Sequence, residues 1–136
     1  MTENTTATET DVRTKLSHQS VADTVAKLTG MIAAKGMRLF GVIDQRADAQ
    51  QAGLDLRETV LVLFGSPAAG TPVMVAAPLS ALDLPLKVLV WDDGGQTKVT
   101  YYAPATLASR YDLGPDLAVR LAGVDPLTDA LVAPDA

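Results

Sequence analysis

Cysteine is absent from this 136-residue chain. Disulfide frameworks, thiolate catalysis and cysteine-ligated zinc or iron–sulfur clusters are excluded together. Histidine occurs once, as His18 in a polar stretch, so a transition-metal site has no donor set to draw on. Basic residues are scarce as well: 11 Lys and Arg stand against 16 Asp and Glu, for a net charge of -5. Nucleic acid is therefore not expected as a partner, because affinity for phosphate backbones comes mainly from Lys and Arg. No stretch approaches the ~20 apolar residues of a membrane-spanning helix. The opening residues also lack the apolar segment of a secretory signal. No membrane partner and a cytoplasmic location are the expectation. A Walker lysine, a dinucleotide fingerprint, a nucleophile elbow and a zincin motif are all missing, so no cofactor is expected.

What the chain does have is apolar content, 48% against 20% charged, enough to exclude disorder over most of its length. A polar, Thr- and Glu-rich tail over 1–10 precedes a single expected domain over 11–133. Residues 12–16 read as a first strand. Ser20, with Asp23 three residues on, starts a helix whose inner face is Val21, Val25, Leu28 and Ile32, ended by Gly36. Residues 37–43 form a second strand, apolar on both parities from Leu39. Asp44 caps a short helix over 46–52, which Gly53 ends. Residues 59–64 are an unbroken apolar run that fits a strand covered on both faces. A break over 65–72, a short helix over 73–77 and a strand over 84–91 complete this central unit. Asp92-Asp93-Gly94-Gly95 then turns the chain into a returning strand over 97–102. Helical pieces follow over 105–110, after Gly114-Pro115, and after Asp125-Pro126, with Asp125 as N-cap. This order implies an α+β domain: one layer of mixed or antiparallel sheet with helices packed on one face.

The motifs Phe40-Gly41-Val42-Ile43-Asp44, Gly53-Leu54-Asp55-Leu56-Arg57 and Phe64-Gly65-Ser66-Pro67-Ala68-Ala69-Gly70-Thr71-Pro72 resemble the domain-of-unknown-function 302 family. So do Asp83-Leu84-Pro85-Leu86-Lys87-Val88-Leu89-Val90-Trp91-Asp92 and Tyr102-Ala103-Pro104-Ala105-Thr106-Leu107-Ala108-Ser109-Arg110. The resemblance spans 12–113 and implies a TATA-binding-protein-like architecture without a DNA role, and no assigned reaction. Gln45 and Tyr111 stand where relatives commonly carry histidine, which removes a histidine-based metal, haem or proton-transfer role from this chain.

The 65–72 connection is the main ligand candidate. Gly65 and Gly70 permit close backbone approach, and a helix starting at Thr71-Pro72 would offer free N–H groups to an anion. Its structural alternative is a tight turn capped by Ser66 or Thr71. Asp44 ends a strand expected to be buried on both sides, which would raise its pKa, but Asp at such a junction more often caps a helix. Arg110 suits a carboxylate, or equally the end of its own helix. Lys87 lies among apolar strand neighbours, with its stem free to snorkel to a sheet edge. A direct Asp83–Lys87 pair is not expected, and Asp92-Asp93 read as solvated turn residues.

These features favour a non-catalytic module binding a small anionic ligand. The expected crevice is lined by Gly65, Ser66, Gly70 and Thr71, with Asp44 and Arg110 nearby and Lys87 as a further candidate. A homodimeric interaction domain ranks second, since so apolar a small domain has surface to cover. An enzyme using Asp44 as acid or base, with Lys87, Arg110 or Tyr102 as electrostatic partners, ranks third.

Overall fold

Two adjacent glycines close the tightest turn of the chain. In the computed structural model, which describes residues 11–134, Gly94 has φ 61° and Gly95 φ 98°. A two-residue hairpin loop of this kind needs positive φ at both positions. Asp92 Oδ1 accepts from the Gly95 N–H at 3.1 Å and fixes the turn. The strands are β1 (Val12–Ser17), β2 (Arg38–Asp44), β3 (Thr59–Gly65), β4 (Leu86–Asp93) and β5 (Gln96–Tyr102). They form one five-stranded sheet in the order β1-β5-β4-β3-β2. Every neighbouring pair is antiparallel. The expected tail over 1–10 lies outside the described residues.

The helices are α1 (Val21–Ala34), α2 (Gln45–Gln51), α3 (Pro67–Ala76), α4 (Pro104–Arg110), α5 (Pro115–Ala118) and α6 (Val124–Val132). Two 3-10 segments, Pro78–Asp83 and Val119–Leu121, sit between them. Ser20 caps α1 by accepting from the Asp23 N–H at 3.0 Å. The expected inner face of α1 is buried at Val21, Leu28 and Ile32, with Thr24 beside them. The core lies between that face, Leu127 and Leu131 of α6, and one face of the sheet: Val62, Phe64, Val88, Val90, Val99 and Tyr101. Each fully buried aliphatic or Phe side chain there contributes about 1.5–3 kcal/mol by leaving water. Lys15 ties β1 to α6. Its Nζ donates to Thr128 Oγ1 at 2.7 Å and to the Asp125 carbonyl at 3.0 Å, and pairs with Asp129 at 2.7 Å. A smaller cluster of Val73, Leu107 and Leu121 packs with Leu84, Leu86 and Tyr111 beyond the Leu86 end of the same face.

Five local readings change. The helix expected over 73–77 starts at Pro67, because Pro67 takes the first helical position and the Ser66 carbonyl accepts from Ala69 and Gly70. Thr71 and Pro72 are thus helix interior, not a helix start. β2 is an edge strand with Leu39, Phe40, Val42 and Ile43 exposed, and Asp44 is exposed too, so the doubly covered strand was the wrong inference from its composition. β3 is covered on one face: Val62 and Phe64 are buried while Leu61 and Leu63 are half-buried. Asp125 lies inside α6, after the N-cap position at Gly123, and its carboxylate accepts from Tyr101 Oη at 2.5 Å. Asp93 is engaged rather than simply solvated, pairing with Lys98 at 2.7 Å and Arg57 at 3.6 Å.

Candidate functional site

The crevice forms where three breaks in regular structure meet. β2 is bulged between Leu39 and Gly41. A bulge adds a residue and re-aims its side chain, and here the Phe40 ring comes to lie near Gly65. A methyl on Gly65 would stand 3.9 Å from Phe40 Cε2 and 3.9 Å from Pro85 Cβ. β3 ends at Gly65, and α3 leaves at once through Ser66 and Pro67. The 3-10 segment then delivers Leu84 and Pro85, joined by a cis peptide bond, to the opposite wall. Gly70 faces this wall: a methyl there would lie 4.0 Å from Leu84 Cδ1 and Met74 Cε. The space left between them is about 190 Å³.

Its lining is almost wholly apolar. Phe40, Met74, Leu84, Pro85 and Leu121 form the walls, and two polar side chains stand among them. Ser66 makes no capping hydrogen bond to α3. Arg120 is exposed on the 3-10 segment after α5 and forms no ion pair within the described residues.

Beside the crevice, the residue before Leu84 is held by a charged clamp. Arg110 Nη1 donates to Asp83 Oδ2 at 2.7 Å, and the Tyr111 hydroxyl donates to the same oxygen. Burial alone would raise the Asp83 carboxyl, but the bonds from Tyr111 and Arg110, with Lys87 nearby, outweigh it and hold it below its ordinary value. Its hydrogen bond to Asp83 raises the Tyr111 phenol in turn. The Arg110 guanidinium also lies over the Tyr102 ring, 5.1 Å from its centroid. The clamp ties the residue before Leu84 to the end of α4, beside the Leu84–Pro85 wall.

Of the residues singled out in the sequence, Gly65, Ser66 and Gly70 line the crevice. Thr71 is exposed on α3 outside its lining. Asp44 is separated from it: β2 sets Asp44 opposite Val60 and Arg38 opposite Gly65. Val60 and Gly65 are five steps apart along β3, about 17 Å. Asp44 accepts from the Ala47 N–H at 2.9 Å and caps α2. Arg110 and Lys87 flank the crevice through Asp83 without lining it. Sequence reasoning missed Arg120, Phe40 and the Leu84–Leu86 wall. The family-like Phe40–Asp44 and Asp83–Asp92 motifs contain Phe40 and Leu84–Leu86, whereas Arg120 lies in no motif.

A five-stranded antiparallel sheet with helices on one face and an apolar crevice at one end defines a small α+β domain. Residues 12–129 match the family described as "Domain of unknown function DUF302", and the chain belongs to that family. The crystal structure of the uncharacterized conserved protein DUF302 from Bacillus stearothermophilus has the same fold. Its TM-score is 0.76 at 20% identity, covering 90% of this chain and 95% of that one. The chain is also similar to proteins named fluoride-specific ion channel FluC 1. It is 40% identical over 99 residues to those of Brucella suis and Brucella abortus, which is 72% of this chain but 39% and 37% of theirs. This chain thus spans about two-fifths of those relatives. No helix among the described residues is long and apolar enough to cross a membrane.

Proposed function

We propose that the domain is a non-catalytic module that binds a small molecule in the crevice between Gly65–Gly70 and Leu84–Leu86. The observation that carries this reading is a preformed apolar space of about 190 Å³ at a sheet end. It exceeds the ~150 Å³ of a dry engineered cavity that takes up benzene. Catalysis has no support of equal weight, because Asp44 is engaged as a cap and Asp83 is bonded to Arg110 and Tyr111. In the relatives named as channels, the matched segment is a minor part of a longer chain. That fits a module reporting a ligand to a neighbouring domain. The test is amide-shift mapping of the labelled protein against small aromatic and branched aliphatic fragments. Saturable shifts at Gly65, Ser66 and Gly70, lost in Gly70→Leu, support the reading. No saturable shift there at millimolar fragment sinks it.

A second reading, association of two copies, is favoured by β2. Leu39, Phe40, Val42 and Ile43 are all exposed on an edge strand, the kind of edge that templates pairing with another chain. Sedimentation at two concentrations tests it. A dimer that Val42→Lys dissociates supports this reading, and a monomer at both concentrations rejects it.

A further inference from the structure

The geometry points to the chemical class of the crevice ligand: a small carboxylic acid with a compact apolar body, its carboxylate held by Arg120. This inference rests on the binding reading above and deepens it. The walls fix the body. Phe40, Met74, Leu84, Pro85 and Leu121 offer no donor or acceptor from their side chains, so a polar body would give up its water without replacement. The volume, about 190 Å³, suits one ring or a branched chain of similar size.

The head group follows from the two polar side chains at the site. Arg120 lines the crevice and has no ion-pair partner among the described residues. A guanidinium presents a planar fork of donors that matches a carboxylate in two parallel hydrogen bonds. The Ser66 hydroxyl, unused as a cap, adds a third donor on the same lining. A phosphate would bring more charge than one cation balances and a hydration shell the apolar walls cannot replace. A neutral ligand would leave Arg120 unused, and a cationic one would be repelled by it. Of the other cations near the crevice, Arg110 pairs with Asp83, Lys87 sits in the field of the same carboxylate, and Arg38 lies over the Phe40 ring, 5.1 Å from its centroid, without lining the space.

Benzoate and benzyl alcohol share a ring and differ in the head group, so they separate this inference from the reading it rests on. Both are titrated at neutral pH into the labelled full chain, following the Gly65, Ser66 and Gly70 amides. Benzoate is expected to bind about fivefold more tightly, an exposed charge-assisted pair being modest in strength. Arg120→Gln is expected to erase that preference, bringing the two compounds to equal affinity. Arg120 is exposed, so the variant keeps the fold. Raising salt is expected to narrow the preference. Equal affinity of the two compounds for the unmodified chain overturns the acid assignment and leaves the binding reading standing. A preference that survives Arg120→Gln overturns the role of Arg120. Absence of saturable shifts with either compound overturns both.

Discussion

Replacing Asp83 by Asn removes one negative charge from the clamp while keeping its shape. Two charge-assisted hydrogen bonds, from Tyr111 and from Arg110 at 2.7 Å, become neutral-acceptor bonds. The Asp83 side chain is 17% exposed and that of Arg110 39% exposed, so the loss of charge assistance at Asp83 is discounted for solvent screening to about 1 kcal/mol. That lowers the melting temperature of a domain this size by about 4 °C. The effect has a pH signature. The folded Asp83 carboxyl lies below its ordinary value of 3.8. Its contribution is therefore complete above that value and is lost as pH falls through the lower folded one. Melting curves of both proteins by circular dichroism from neutral pH to about pH 3 are expected to differ most at neutral pH and to draw closer as the pH falls below the ordinary carboxylate value. A gap that stays constant over this range, or no gap at neutral pH, refutes the clamp as described.

Asp44→Ala is expected to cost about 1 kcal/mol, and Asp44→Asn far less, since Asn caps a helix nearly as well; equal losses in urea denaturation contradict the cap at Ala47. Ser80 is buried with a hydroxyl that has no partner among the described residues, so Ser80→Ala is expected to leave stability unchanged or raise it by up to about 1 kcal/mol. A clear loss on that substitution would reveal a partner for the hydroxyl. Gly70→Ala is expected to stabilise α3 by about 0.5–1 kcal/mol, because a methyl there meets only ordinary contacts at 4.0 Å; a drop in denaturation midpoint would place tighter packing at that wall.

The elements legible in the sequence are those written in short local signals. Ser20 with Asp23, Asp44 before α2, and Gly94-Gly95 between β4 and β5 each act within a few residues, and each forms where expected. Pro67 and Pro72 show where local signals mislead. Both read as turn residues, yet one opens a helix and the other lies inside it. The apolar composition of β2 could not reveal its edge position, because strand order is decided by pairing across the whole sheet. The site shows the same division. Gly65, Ser66 and Gly70 lie within six residues of one another, and they line one crevice. Asp83 and Arg110 meet across 27 residues, and Arg120 arrives on a 3-10 segment carrying no motif.

The central claim is that the Gly65–Leu86 crevice takes a small ligand into an apolar space. Intermolecular nuclear Overhauser effects with a bound aromatic acid test it directly. The account predicts cross-peaks from the ring protons to the Met74 ε-methyl, the Leu84 δ-methyls and the Phe40 ring. Cross-peaks instead to Val21, Val25 and Val42, which lie around Asp44, or none at saturating ligand, would contradict it.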